Sequence, residues 1–417
     1  MTWRYSAFSL LKEGLSGQKG WEPAWRSPDS ARSYDVIVIG GGGHGLATAY
    51  YLARTHGITR VAVLEKGWIG GGNTGRNTTV IRSNYFYPES VALYGLAHRL
   101  YRSLSRELNY NIMFAPRGMV SVCHTDAQME IAARTVNAMQ LNGTDAELFS
   151  AEDVRRVAPA YNFSPRARYP VAGGIWQGSA GTARHDAVAW GYARAASRLG
   201  VDIIQNCEVS GFIVERGRCR GVETSRGPIR ADRVGMAVAG HSSVLAEKAR
   251  FRLPINSYAL QACVSEPVKP VLDTIVLSLG TGCYVSQSDK GELVIGGGLD
   301  RIPSYGQRGN LPTLEGVLAG VVEMFPSFAG LKLMRQWAGT VDVVPDSSPI
   351  IGESPLPGLF LNCGWGTGGF KAIPAGGTLL ANLLATGRHT DISRPFDLDR
   401  FARGRLIDEA AGSGIPH

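Results

Sequence analysis

The sequence predicts an α/β fold, α+β in detail, in which a domain built on a parallel sheet is interrupted by a second, mixed β-sheet lobe. Three observations carry this. Residues 34–39 are a short β-branched apolar run of the kind buried on both faces of a sheet. Helical periodicity from Leu46 to His56 follows, and then a second buried run at 60–65. Residues 34–65 therefore form a βαβ unit with parallel strands. Finally, α/β pattern returns in the middle and at the end of the chain, with strand-rich stretches between.

The other elements follow from period and punctuation. Residues 88–108 place Val91, Leu93, Tyr94, Leu96, Leu100 and Leu104 at helical spacing. Residues 113–123 alternate as a strand, and 126–142 are helical. Residues 182–200 form a helix stopped by Gly200 and followed by a strand at 201–204. Residues 211–222 and 227–233 read as a β-meander, with a further buried strand at 234–239. Strands dominate 254–300, with a hairpin through 288–291. Residues 314–325 are helical, 358–362 a short strand and 374–386 a last helix. The first domain is thus expected over 34–115, 165–253 and 331–400, and the sheet lobe over 116–164 and 254–330. Residues 1–33 are an arm whose aromatics either stay solvated or pack on another chain, and 401–417 a C-terminal tail.

Composition narrows the class. The chain has 417 residues, enough for two or three domains or one large domain with an insertion. Lys and Arg exceed Asp and Glu by 43 − 35 = 8, a modest excess that suits an anionic ligand or an acidic partner. No basic stripe interleaved with aromatics points to nucleic acid. No apolar run approaches the ~18 residues needed to span a bilayer. The six cysteines lack metal-site spacing, so no metal site is expected and the thiols read as buried and reduced in a cytoplasmic chain. No signal-peptide pattern is seen at the start. Glycine is abundant, 53 residues without a collagen period, so it must serve turns and close backbone contacts.

The first such turn carries chemistry. Gly40-Gly41-Gly42-Gly43-His44-Gly45 satisfies G-x-G-x-x-G between a predicted strand and a predicted helix, the context that gives the motif meaning. Gly40 allows the tight turn, Gly42 lets a pyrophosphate approach, and Gly45 lets the helix pack on the strand. Gly43 and His44 offer backbone N–H groups at the helix start, where the helix dipole favours phosphate. Glu65 stands 20 residues beyond Gly45, placed to accept ribose hydroxyls, with Lys66 beside it. The domain is therefore Rossmann-type and binds an adenine dinucleotide. A long polar glycine-rich loop at 70–82 favours FAD over NAD, because the extended flavin end needs it. Gly72, Asn73, Thr78 and Val80 are its candidate contacts. A second such loop, 364–371, precedes a helix, and Gly366, Gly368, Gly369 and Lys371 could face the flavin edge. Val209 and Gly240, at strand ends, complete the set.

Residues 34–45, 65–67, 77–82, 345–351 and 364–371 together resemble the glycine oxidase and sarcosine oxidase flavoprotein family. Residues 182–190 and 201–209 are similar to the β subunits of its heterotetrameric sarcosine oxidases. The resemblance covers 34 to about 410. It implies oxidation of sarcosine (N-methylglycine) at a non-covalent FAD, with electrons passing to FMN and then to O2, giving H2O2. Glycine and formaldehyde or methylenetetrahydrofolate would be the products. It implies partner α, γ and δ subunits, with NAD and the tetrahydrofolate site in α. Arg82 and Lys371 match the family's substrate carboxylate clamp, although surface or phosphate contact is the plainer reading of each. His185 matches the histidine that carries covalent FMN; its position alone would make it a solvated first-turn residue. Monomeric members attach FAD to a cysteine upstream of Pro-Asp, but residues 339–344 contain none. Other readings are an oxidase or dehydrogenase of glycine, dimethylglycine or an opine, or a scaffold that FAD merely stabilises. His241 and Asp346 read as packing or turn residues as readily as functional ones.

Overall fold

The structure, a computed structural model, describes residues 6–19, 23–29 and 32–409. The rest of the expected arm, and 410–417 of the expected tail, lie outside the described residues. Two eight-stranded sheets organise the chain. In the first, Ser33–Ile39 is the central strand, paired in parallel with Val61–Leu64 on one side and Ile229–Met236 on the other. Asp202–Ile204 and Leu359–Cys363 extend it in parallel, and antiparallel Ile350–Glu353 closes one edge. Val209–Glu215 and Arg218–Thr224 form the expected meander, which runs into Ile229–Met236. The separate strands expected at 227–233 and 234–239 are thus one strand, ending at Met236.

The second sheet is mixed. Its order runs Leu333–Val343, Asn256–Pro267, Glu292–Leu299, Tyr284–Gln287, Ile275–Ser278, Met119–Cys123, Gly173–Gln177, Glu147–Ser150. Gly173–Gln177 and Leu333–Val343 lie in this sheet although they fall outside the segments expected for the lobe. The strand expected over 113–123 shortens to Met119–Cys123, because Met113 (φ 55°) and Gly118 (φ 79°) are left-handed and Pro116 interrupts the run. A two-stranded link, Val80–Ile81 with Gly181–Thr182, joins the helical layer to the cleft described below.

Helices Gly43–His56, Pro88–Glu107, His185–Arg198 and Gly369–Thr386 cover one face of the first sheet, where Leu46, Leu52, Leu93, Leu104, Tyr192 and Leu380 form the core. Two of them begin earlier than the sequence suggests. The first starts at Gly43 because extended Gly42 serves as its N-cap. The last starts at Gly369, with Pro374 inside it. Proline cannot donate to the carbonyl four residues back. That carbonyl, Phe370 O, instead accepts the Tyr101 hydroxyl at 2.7 Å. The two helices pack at backbone distance: a Cβ on Gly377 would lie 2.4 Å from Ala47 Cβ, and one on Gly43 2.2 Å from Ile373 Cδ1.

The first and last described segments are held unequally. Helix Ala7–Leu15 leaves Phe8, Leu10, Leu11 and Leu15 exposed. Trp25 packs on the core, and the Arg26 N–H donates to Ser197 Oγ. Residues 400–409 form a fixed strap. Buried Arg400 donates to both carboxylate oxygens of Asp346, at 2.8 and 2.9 Å. Asp346 also accepts the Ile407 N–H at 3.2 Å, and the Ser348 hydroxyl donates to Ile407 O. Asp346 is therefore the anchor of the strap. All six cysteines are free and buried. Asp346→Ala leaves the Arg400 charge buried without its partner, so we expect a loss of about 3–5 kcal/mol in urea unfolding. A change under about 1 kcal/mol would show that the strap is not held this way.

Candidate active site

A cleft of about 600 Å³ opens beyond the carboxyl ends of Ser33–Ile39 and Val61–Leu64, between the two sheets. At its near end Gly40 turns with φ 108°, and a Cβ there would meet Ala237 O at 2.3 Å. A Cβ on Gly45 would lie 1.9 Å from Gly40 O, so Gly45 packs helix on strand and does not line the cleft. Gly42, Gly43 and His44 line it. The Gly43 N–H is already taken by Thr74 Oγ1 at 2.9 Å. Both oxygens of Glu65 are engaged too, by the Gly41 and Gly67 N–H groups at 2.8 Å each. Glu65 thus shapes the turn while its side still faces the cleft.

His44 does more than lend a backbone N–H. Its Nε2 meets Gly369 O at 2.8 Å, and its ring lies 4.6 Å from that of Trp365. Burial pushes its pKa down to about 4, against a smaller opposing effect from the Gly369 carbonyl. The neutral ring donates through Nε2, ties the two helix N-termini together, and leaves Nδ1 without a partner. Val209 and Lys66 line the rim, where Lys66 Nζ is 3.4 Å from His241 Nε2. His241 thereby joins the cleft as well. Gly240 does not: a Cβ there would strike Thr340 O at 2.5 Å, so it is a packing glycine.

Residues 72–80 form one wall. Gly72 caps the turn Asn73–Arg76, and Asn73 donates to Thr340 O. Thr78 Oγ1 pairs with Tyr284 Oη at 2.7 Å, and Val80 lies on the short link. A Cβ on Gly72 or Gly366 would meet nothing within 4 Å, so the backbone presents a bare cradle that suits a bulky planar cofactor such as FAD. Gly366 and Gly369 line the cleft, whereas Gly368 is pressed against Tyr94 Oη. The loop's N–H groups are not all available to a flavin edge. The Gly364, Trp365 and Gly366 N–H groups point to the buried Asp342 carboxylate, Gly364 at 2.5 Å. Burial raises Asp342 to about 6, and those donors restrain the rise. Asp342 and Tyr284 are cleft residues that periodicity does not reveal, since each lies within an apolar or polar run without a motif; Thr74 and Trp365 lie in the two glycine-rich loops but are not among the contacts expected there.

At the far end stand two buried cations, Arg82 at 8% exposure and Lys371 at 5%. The Arg82 guanidinium donates to Asn84 and lies 5.1 Å from the Tyr85 ring centre. Lys371 Nζ is 3.4 Å from the Tyr85 hydroxyl and from Thr367 O. Both cations line the cleft. Burial, and secondarily the Arg82 charge, hold Lys371 well below the usual lysine range. Tyr85 stacks on Tyr94 at 3.7 Å behind them.

His185 lies elsewhere. It opens helix His185–Arg198, half-buried, and does not line the cleft. The turn Asn73–Arg76 stands between: Asn73, Thr74 and Arg76 face the cleft, while the Gly75 carbonyl faces the His185 ring. Burial lowers the pKa of His185, and its Nδ1 has no hydrogen-bond partner. No cluster of metal-ligating side chains occurs among the described residues, and no described helix is long and apolar enough to cross a membrane.

A dinucleotide laid along this cleft, with an anion held at its far end, is the layout of a flavin-dependent oxidoreductase. The pattern of the FAD dependent oxidoreductase family matches residues 35–383. The sarcosine oxidase subunit beta of Rhodobacter capsulatus is 51% identical, over 99% of this chain and all of its own length. That of an Arthrobacter species is 50% identical over 94% of this chain and 97% of its own. The structure of an L-proline dehydrogenase from P. horikoshii superposes with a TM-score of 0.85 at 27% identity, covering 90% of this chain and 100% of that one. The chain belongs to the FAD-dependent amine oxidoreductases, within the family of sarcosine oxidase β subunits.

Gly45→Ala drives a methyl into Gly40 O and must part helix from strand. We expect the purified variant to keep less than about a tenth of the wild-type flavin absorbance per chain. Unchanged flavin content would contradict the close packing.

Proposed function

We propose that this chain oxidises sarcosine by two electrons at a non-covalent FAD held along the cleft, as one subunit of a larger sarcosine oxidase. The observation that carries the reading is the convergence of Arg82 and Lys371 at the cleft's far end, in a chain half identical to sarcosine oxidase β subunits. Gly40, Gly42, Gly43 and His44 would hold the pyrophosphate. Glu65, Lys66, Val209 and His241 would hold the adenosine end, and Gly72, Asn73, Thr78, Val80, Gly366 and Gly369 the flavin end. Bound FAD supplies an acceptor for the hydride of the N-methyl group.

The chain's own work is positioning. Arg82 offers a planar donor fork to the substrate carboxylate, and Lys371 a second charge. An arriving carboxylate favours the protonated form of Lys371, whose charge burial otherwise disfavours. The two cations in turn disfavour an ammonium beside them, so the amine binds neutral with its lone pair free. Neither residue need act as a general base. Water adds to the oxidised N-methylene carbon and cleaves its C–N bond to give formaldehyde and glycine, or that carbon passes to tetrahydrofolate as a methylene group with glycine released.

His185 is proposed to carry FMN covalently. Its neutral ring and unpartnered Nδ1 suit attachment to a flavin, and the Asn73–Arg76 turn that lines the cleft also touches the His185 ring through Gly75. Electrons would pass from FAD to that FMN and on to O2, giving H2O2. The word beta in the relatives' names supports an assembly with other subunits. We propose α, γ and δ partners, NAD and the folate site in α, and a cytoplasmic setting. The rival readings are a related oxidase or dehydrogenase of glycine, dimethylglycine or an opine, and a non-catalytic FAD-stabilised scaffold.

Anaerobic sarcosine should bleach the FAD band of the wild-type protein; absence of bleaching with every N-methyl amino acid tried would favour the scaffold. Arg82→Ala should retain FAD but require on the order of 100-fold more sarcosine for the same bleaching. Unaltered turnover would remove Arg82 from the clamp. The denatured chain, co-produced with its partners, should carry the mass of one FMN less the hydrogens lost on linkage, mapping to the tryptic peptide with His185. An unmodified peptide would leave a one-flavin enzyme.

A further inference from the structure

We propose that Glu409, carried in by the C-terminal strap, is a positioning residue that sets the charge at the substrate end of the cleft, so that it accepts a monocarboxylate and rejects a dicarboxylate. This rests on reading Arg82 and Lys371 as the carboxylate clamp.

The strap is fastened by the Arg400–Asp346 pair and by Ile407, and it ends by burying Glu409 to 1% exposure. A carboxylate is retained at such depth only when its oxygens are satisfied. Here they are: one accepts the Phe86 N–H, the other the Tyr87 N–H at 3.2 Å, and the Ser90 hydroxyl adds a third donor. These groups open helix Pro88–Glu107, whose N-terminal dipole favours an anion. The same short segment carries Arg82 and Tyr85 at its start. The Arg82 charge acts on Glu409, and the Glu409 charge reaches Tyr85 and Tyr94. Glu409 is therefore held by the segment that carries Arg82 and Tyr85, and it does not line the cleft.

The charge count gives the consequence. Burial opposes the charge of both Lys371 and Glu409. Once a ligand carboxylate has favoured protonated Lys371, Arg82 and Lys371 bring two positive charges, and Glu409, whose ionised form the Phe86, Tyr87 and Ser90 donors and the Arg82 charge favour, brings one negative. One net positive charge remains for the ligand, which a single carboxylate neutralises. Asp342, a buried carboxylate that does line the cleft, is already engaged by the N–H groups of the 364–366 loop. A second ligand carboxylate would meet the Glu409 field in a poorly screened interior. The substrate class this selects is the small amino acid with one carboxylate and no acidic side chain.

The test uses the FAD-loaded protein and two probes of equal size, malonate and its monoamide, titrated against the flavin absorption band. In the unmodified protein the monoamide should bind about tenfold more tightly than the dianion. Equal or tighter malonate binding there overturns the proposal without recourse to any variant. In Glu409→Gln the ratio should move about tenfold toward malonate, and in Glu409→Asp it should stay near wild type. Equal weakening of both probes, or an unmoved ratio, would reduce Glu409 to a helix cap and overturn the proposal. Bleaching by sarcosine is scored separately. A protein that discriminates the probes yet is never bleached keeps the charge selection and loses sarcosine as substrate.

Discussion

The structure depends on two helices lying closer together than side chains would permit. Gly43–His56 and Gly369–Thr386 touch through Gly43, Gly376 and Gly377, where a methyl would intrude to 2.2, 2.6 and 2.4 Å of the facing atoms. Each helix leaves a strand of the same parallel sheet, so this contact brings both N-termini to one cleft. Their dipoles then favour negative charge at two places along the cleft, although the Gly43 N–H itself is taken by Thr74 Oγ1. The His44–Gly369 hydrogen bond fixes the pair in register. The second sheet only has to roof the space that this contact creates.

Electrostatics divide the cleft between shaping and binding. Its carboxylates are spent on backbone: Glu65 on Gly41 and Gly67, Asp342 on the loop beginning at Gly364. Anionic side chains therefore mould the turns, while cations and N–H groups remain toward the ligand. Arg82 and Lys371 sit at the opposite end, desolvated, with the Tyr85 ring beneath both. Such an arrangement suits two anionic ligands, a dinucleotide pyrophosphate near one end and a small acid near the other.

The parallel strands, the fingerprint turn and the long helices were legible in the sequence, because burial on both faces and 3.6-residue spacing leave direct marks on composition. The helix starts at Pro88 and Asp126 were legible as well, but two others were not. Gly43 and Gly369 look like loop residues, and Pro374 looks like a beginning; only the Tyr101 hydroxyl at Phe370 O explains why the helix continues through it. The site was legible as motif glycines and cations but not as partners. Nothing local in the chain says that Thr74 will meet Gly43, or that Asp342 will meet Gly364. Gly240 and Gly368 carry the look of ligand loops, yet their freedom is spent on Thr340 and Tyr94. Residues 401–409 read as part of a tail, and only the distant Asp346 makes them a strap.

The placing of the sulfur atoms has a bearing on durability. All six thiols are interior, and burial raises the pKa of Cys123, Cys219, Cys263, Cys283 and Cys363. Peroxide attacks the thiolate, so a thiol kept protonated and out of water is a poor target. That burial is chemical self-protection: an oxidant diffusing past this surface meets no cysteine to oxidise.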